Sequence, residues 1–233
     1  ALAAFERAHT IKPHALTAYN MGVAERSLGR LTRSRARFRE ALARNDAAQG
    51  KELAGTIAED ARALLAEVET RLVRIEVTLD RTDAGFSVDG RPVVPDPWEP
   101  NLVVAGLSPP ATDVPANAPR LVVLADPGRH VISAIRQGYV PATAEGDHRP
   151  GSRSSVRLSL VEQDTELSID CEVKNAAVRV DGVDVGIAPL VLRRPAGKHS
   201  VEVRAQGYQP YATTVDLRAG ERSALLARMK FEE

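Results

Sequence analysis

The residues able to do chemistry are few in this chain, and they fall at repeated positions. His130 and His199 stand 69 positions apart, each two residues after a glycine, Gly128 or Gly197, and each at the head of a strand-like run. An imidazole titrates near neutrality and suits proton transfer or metal ligation. A base duplicated at the same point of two modules suits a structural hydrogen bond across a turn better than catalysis. Asp89-Gly90 and Asp181-Gly182 carry the signature of two-residue hairpin loops, so these aspartates read as turn formers and not as a carboxylate dyad. His148 has Leu217 at the matching position and is expected at the surface, while His9 and His14 flank a helix end. The single cysteine, Cys171, excludes an intramolecular disulfide and reads as a small hydrophobe in an alternating run. No His-Glu-x-x-His, paired-cysteine or phosphate-cradling glycine pattern occurs. The expectation is a chain with no catalytic residue, no metal and no cofactor.

The elements that position these residues are written twice. Gly128 to Ser154 aligns without a gap on Gly197 to Ser223, sharing Gln137/Gln206, Gly138/Gly207, Tyr139/Tyr208, Pro141/Pro210, Asp147/Asp216 and Gly151/Gly220. A repeated unit predicts a module and its copy. Tandem small modules serve more often as scaffolds or binding surfaces than as active sites.

Composition narrows the class. The 233 residues hold 31 Lys+Arg and 31 Asp+Glu, so the formal net charge is zero. That balance gives no global attraction to nucleic acid or an anionic membrane. Arginine far outnumbers lysine, which points to a GC-rich bacterial genome. Aromatic residues are 4%, so the cores must be built from Val, Leu, Ile and Ala. No apolar run reaches the roughly 18–20 residues of a membrane span. The sequence starts at Ala1 in mid-motif, so it reads as a piece of a longer protein with further repeats upstream.

The first 72 residues have a helical period. One helix, with Ala1, Phe5 and Ala8 on a face, ends near Ile11 before Lys12-Pro13. A second runs from about Ala15 to Leu28 and stops at Gly29. A third spans about Thr32 to Ala43, with Ser34, Phe38 and Ala41 repeating the spacing of the first 33 residues later. A longer helix over about Gly50 to Leu72 turns Leu53, Ile57, Ala61, Leu64, Leu65, Val68 and Leu72 inward. Tyr19-Asn20-Met21-Gly22, Leu28-Gly29, Phe38 and Ala41 together resemble the tetratricopeptide repeat, with Pro13 in its closing position. Ser34 in place of the usual Ala, and Asp46 in place of a closing Pro, depart from it. The resemblance implies helical hairpins plus a capping helix, and a protein or peptide partner held in a concave groove. Asn20 matches a position that holds peptides in some members. Arg26, Arg30, Arg33 and Arg37, in a run with Arg35, Arg39 and Arg44, form either a solvated face paired with glutamates or a patch for an acidic partner.

From Arg74 the period switches to two. Val180-Asp181-Gly182, Gly186, Pro189-Leu190, Gly197 with His199, and Gly207-Tyr208 resemble the PEGA domain over about 164–233. That implies a small transthyretin-like antiparallel β-sandwich, found in bacterial envelope proteins and often in tandem. Residues 73–163 match at Val88-Asp89-Gly90, Pro127-Gly128 with His130, and Gly138-Tyr139. The Asp-Gly turns lie 92 positions apart and the later segments 69, so this copy holds 23 extra residues. Pro95, Pro97, Pro100, Pro109, Pro110, Pro115 and Pro119 mark the insertion at about 93–119, expected as a loop with one short strand at Leu102-Val103-Val104. Its Trp98, the only tryptophan, either packs against the sandwich or the helices, or anchors a partner.

The expected architecture is therefore α+β and multidomain: helices over 1–72, then β-sandwiches over 73–163 and 164–233. The expected function is a non-enzymatic scaffold or protein-interaction module of the cell envelope, periplasmic by resemblance. Candidate partner-binding residues are Asn20, Arg26, Arg30, Arg33, Arg37 and Trp98. A ligand- or glycan-binding β module, favoured by an exposed row of Trp98, Tyr211 and Phe86, and a regulatory extension of an upstream enzyme such as a kinase, are the alternatives.

Overall fold

The structure, a computed structural model, describes residues 2–109, 114–116 and 118–232; Ala1 and Pro110, placed on the first helix and in the insertion above, lie outside them. Four helices come first: α1 (Leu2–Ile11), α2 (Ala15–Ser27), α3 (Leu31–Ala47) and α4 (Gly55–Arg71). Among the described residues the strands then run β1 (Val73–Leu79), β2 (Gly85–Val88), β3 (Arg91–Pro92), β4 (Val94–Pro95), β5 (Leu102–Val104), β6 (Val114–Pro115) and β7 (Arg120–Ala125). Next come β8 (Gly128–Ile135), β9 (Tyr139–Val140), β10 (Ala142–His148), β11 (Arg153–Leu158) and β12 (Val161–Glu162). The last are β13 (Thr165–Cys171), β14 (Ala177–Val180), β15 (Val183–Ile187), β16 (Leu190–Arg194), β17 (Gly197–Arg204), β18 (Tyr211–Leu217) and β19 (Arg222–Ala227). The chain divides into two compact units, Ala1–Ala134 with Ala142–Ser159, and Ile135–Pro141 with Leu160–Glu233.

In the first unit the helices pack through small residues. A Cβ on Gly22 would stand 2.7 Å from the Phe38 ring, and Ser34 Oγ donates to the Gly22 carbonyl at 2.8 Å. Phe38, Ala18 and Ala41 have no exposed surface. Helix α2 ends as its glycine predicts: Gly29 takes φ +74°, its N–H donates to Arg26 O, and Arg30 N–H reaches back to Glu25 O at 3.0 Å. These are the two bonds of a Schellman cap, which satisfy carbonyls the helix itself leaves open. Helix α3 runs four residues beyond its expected end and stops at Gln49 and Gly50, both with positive φ. Helix α4 starts at Gly55 rather than near Gly50. The stretch between is held in non-helical form, with Leu53 N–H donating to Asn45 Oδ1 at 2.8 Å and Glu52 Oε2 accepting the Ala15 N–H at 2.6 Å. Leu31, Phe38, Val68 and Leu72 from the helices share one core cluster with Leu102, Val104 and Leu124 from the strands.

One sheet of this unit has the order β11-β1-β7-β5-β4, and the other β10-β8-β2-β3 with β6 also on β2. The insertion is more than a loop with one strand. Leu102 and Val104 are each 3% exposed because β5 lies parallel beside β7, and β4 pairs beyond it. The strands β4 and β6 escape sequence reading because each is two residues long and contains a proline, a residue restricted to sheet edges and bulges.

In the second unit one sheet runs β16-β13-β19, another runs β15-β14-β17-β18, and β9 pairs antiparallel with β12. Leu167 and Ile169 from the first meet Val178, Val180, Val201 and Val203 from the second in a single core. Strand pairing in the two units keeps the sequence offset. Gly128 faces His148 and Gly197 faces Leu217; Arg153 runs parallel to Arg74 and Arg222 parallel to Glu166. Gly138 O accepts the Gln163 N–H at 2.8 Å, as Gly207 O accepts the Glu232 N–H at 3.1 Å.

Overpacking the helix contact tests it. Gly22→Val drives two methyls into the Phe38 ring and should destabilise the chain by roughly 1–3 kcal/mol, read as a lower urea midpoint. Gly55→Ala, whose Cβ meets nothing within 4 Å, should leave the midpoint close to that of the parent.

Candidate functional site

Two polar constellations stand out. The first is a turn clamp. Asp181 and Gly182 take φ +49° and +77°, the left-handed pair that a tight hairpin loop requires. The Asp181 carboxylate then spans the turn, with Oδ1 accepting the Ser200 N–H at 2.9 Å and Oδ2 pairing with His199 Nδ1 at 2.6 Å. The far nitrogen of His199 meets the Pro195 carbonyl at 2.9 Å. The first unit repeats every bond: Asp89 Oδ1 to Val131 N at 2.9 Å, Asp89 Oδ2 to His130 Nδ1 at 2.7 Å, and His130 Nε2 to Asp126 O at 2.7 Å. Both histidines therefore hold turns, as their repetition predicts.

The clamps differ in surroundings. The residue matching Pro195 is Asp126, whose carboxylate accepts the Thr32 N–H at 2.6 Å and so caps the start of α3. Burial raises the Asp126 pKa, with the Thr32 bonds opposing. His148, expected at the surface, is buried like the matching Leu217. It is 9% exposed, and its ring stacks 6.0 Å from that of His130. Burial lowers its pKa, with the His130 charge adding to the effect. For His130, burial works downward, but the bonds to the Asp126 carbonyl and the Asp89 carboxylate outweigh it and leave the pKa raised.

The second constellation lies under the helices. Arg35 and Asp96 are 3% and 1% exposed at their side chains and form a direct ion pair. Arg35 Nε also donates to Glu69 at 3.1 Å, and Arg39 reaches the same Glu69 oxygen at 2.6 Å. Burial pushes the Asp96 pKa up, but the Arg35 bond and the Trp98 and Glu99 N–H donors outweigh it, so the group is held low and ionised. Removing one partner of such a pair strands a buried charge.

The sequence-predicted partner residues scatter across this surface. Arg26 donates twice to Glu67 at 2.6 and 2.7 Å, Arg30 lies 3.5 Å from Glu25, and Arg37 lies 2.8 Å from Glu40. Arg33 Nε donates to Gly106 O at 3.0 Å. Asn20 is half-buried on α2. Trp98 is 53% exposed, with the Arg39 guanidinium 4.7 Å above its ring, a cation–π contact. Glu6, Glu25, Arg33, Arg37, Arg91 and Leu107 line an open cleft of about 470 Å³. That cleft unites Arg33 with Arg37 and leaves Asn20, Arg26, Arg30 and Trp98 outside. Phe86 has no exposed surface, so the row of Trp98, Tyr211 and Phe86 that sugar stacking needs is not formed. Reading the sequence missed Asp96 and Asp126, since a lone aspartate gives no sign of which distant arginine or helix it meets. Asp96-Pro97-Trp98 does carry a turn signal, realised as the Asp96 Oδ1 bond to the Trp98 N–H at 2.9 Å.

Residues 165–231, which carry the second clamp, match the family model of the PEGA domain. No curated protein matches the chain. Among solved structures, the Bacillus anthracis TIE protein is similar at 14% identity and a TM-score of 0.39; the alignment covers 69% of this chain and 34% of that one. This chain thus spans about a third of the TIE protein. GBS52, the minor pilin of Streptococcus agalactiae, is similar at 8% identity and a TM-score of 0.24, over 69% of this chain and 96% of the pilin. The shaft pilin SpaA of Lactobacillus rhamnosus GG gives 10% identity and 0.22 over 70% and 99%. These structural likenesses are too distant to carry weight. Among the described residues no helix is long and apolar enough to cross a membrane.

Two measurements probe these constellations. Arg35→Met should cost about 3–5 kcal/mol by stranding the Asp96 carboxylate, and Arg35→Met with Asp96→Asn should regain part of it, in denaturant titrations. The clamp should show in the pH dependence of stability. The Asp181 bond raises the His199 pKa, so this stabilisation is full below the ordinary imidazole value of about 6.5 and fades as pH rises through the raised value. The His199 bond lowers the Asp181 pKa, so that contribution is present above about 3.9 and fades as pH falls through the lowered value. His199→Gln should therefore lower the thermal midpoint most near about pH 5 and less at about pH 9, by about 1 kcal/mol or less after solvent screening.

Proposed function

We propose that this chain is a non-enzymatic scaffold of the bacterial cell envelope. In this reading the helices are hairpins of the tetratricopeptide kind that present a face to a protein partner. The strands form two PEGA-like sandwiches that act as spacers or adhesive units. The PEGA match over residues 165–231 supports the second module directly. The 69-residue offset kept in strand pairing, and the recurrence of the clamp, support reading the first β region as a copy. The small-residue contact of Gly22, Ser34 and Ala41 around Phe38 supports the hairpin reading. The envelope assignment rests on the resemblance of the β modules.

One observation carries the non-enzymatic reading. Both nitrogens of His130 and both of His199 are engaged in closing turns, at the same place in two modules. A general base needs one nitrogen free to reach a substrate proton. The partner-binding face is assigned to the cleft carrying Arg33 and Arg37. Immobilised intact chain should capture a protein from a bacterial envelope extract. Arg33→Glu with Arg37→Glu should lower that capture at least about tenfold, equivalent to about 1.4 kcal/mol. Substrate turnover by the intact chain that is lost in His130→Ala or His199→Ala would overturn the scaffold reading.

A further inference from the structure

The two strand-pairing patterns differ at one sheet edge. In the first unit β7 is an inner strand, with β1 on one side and β5, parallel, on the other. Its counterpart 69 positions later, β16, has β13 on one side and, among the described residues, ends its sheet. The backbone groups that receive the β5 segment are specific. Val122 N–H donates to Asn101 O at 2.9 Å, and Leu124 O accepts the Ala105 N–H at 2.9 Å. Their counterparts are Val191 N–H and Arg193 O. In the place of a strand donor, Arg193 O meets the flexible Arg194 guanidinium at 3.2 Å.

The side chains differ as well. Leu121 and Val123, on the strand flanked by β5, are 4% and 0% exposed. Their counterparts Leu190 and Leu192 are only partly buried against the core of the second unit. Val191 is 62% exposed, where its counterpart Val122 packs against the cluster that Phe38 and Val68 share with Leu102 and Val104. A sheet edge of this kind is a template for another strand, and main-chain bonding at such an edge is an established mode of peptide recognition.

We infer that β16 is an acceptor edge for a parallel, extended aliphatic strand supplied by another polypeptide. It corresponds to the place that Leu102-Val103-Val104 fills within the first unit. The inference rests on reading the first β region as a copy of the second. The chain's own example sets the ligand chemistry: Leu102 and Val104 are buried on one face with Val103 between them, so aliphatic residues are required at alternate positions. Arg193 and Arg194 lie at the C-terminal end of β16. They favour an acidic residue after the aliphatic run of a parallel ligand. Two β16 edges joined about a two-fold axis would bring four arginines onto one short ribbon, which disfavours a second copy of this chain as the occupant.

The test uses the intact chain and, as the probe, a synthetic peptide of Glu99 to Leu107 carrying one added C-terminal glutamate, read by amide hydrogen exchange and by titration. The peptide should protect the Val191 amide and bind saturably with a dissociation constant between about 10 µM and 1 mM. Val191→Pro removes the outward donor, and Arg194→Glu reverses the local charge with the backbone unchanged. Each should weaken binding, the proline at least about tenfold, and circular dichroism should show both variants folded. An open Val191 amide at about 1 mM peptide, or binding indifferent to both variants, overturns the inference. So does concentration-dependent dimerisation that either variant abolishes, because the occupant is then a second copy. The Val122 amide is the control. Exposed in the free chain, it refutes the covering of β7 by β5 on which the ligand chemistry is based; protected, while Val191 stays open with peptide, it refutes the acceptor edge and leaves the copy reading standing.

Discussion

The Asp-Gly turn, locked by an imidazole, is the constraint on which both β modules depend. A hairpin with two left-handed residues aligns strands of natural twist, yet left-handed backbone strains any residue with a Cβ. Asp181 tolerates φ +49° because its carboxylate is engaged by Ser200 N–H and His199 at the same time. Those bonds fix the registration of β14 against β17, and with it which residues of each strand point inward. A slip of one position would turn Val178, Val180, Val201 and Val203 out of the core. In a chain so poor in aromatic residues, these small aliphatic contacts supply most of the apolar burial.

The first unit uses the same clamp for an additional purpose. Asp126, standing where the other unit has proline, offers its carbonyl to His130 and its carboxylate to the N-terminus of α3. One residue thus joins turn closure to helix capping, and α3 has no side-chain cap of its own at Arg30. The insertion completes the helical layer. Strand β5 adds Leu102 and Val104 beneath Phe38 and Val68, while Asp96 receives Arg35 in a nearly dry position. The prolines do not prevent this, because Pro95 sits on the edge strand β4, where a missing N–H leaves no partner unsatisfied.

Much of this organisation was legible before any coordinates. The Asp-Gly turns, the glycine ending α2 and the switch from helical to alternating period near Arg74 all reappear in place. Each is a local matter: the chemistry of a glycine at positive φ, or of an aspartate at a turn, is complete within a few residues. Long-range pairing was not legible. His148 read as a surface residue, but the fold stacks it on His130 and buries it, as it buries the matching Leu217. The arginine run read as one continuous patch, yet Arg35 is buried in an ion pair, and Arg26, Arg30 and Arg37 each face a glutamate.

The amino-acid order by itself therefore determined the kinds of element and the positions of the turns, since these follow from backbone sterics and from side chains reaching their own neighbours. Only the tertiary structure decided which charges neutralise one another, which edge strand is covered and which remains open. Such outcomes depend on contacts such as Arg35 with Asp96, 61 positions apart, or β5 with β7. No periodicity records a partner so far along the chain, because the energy that selects it comes from burial shared by many residues at once.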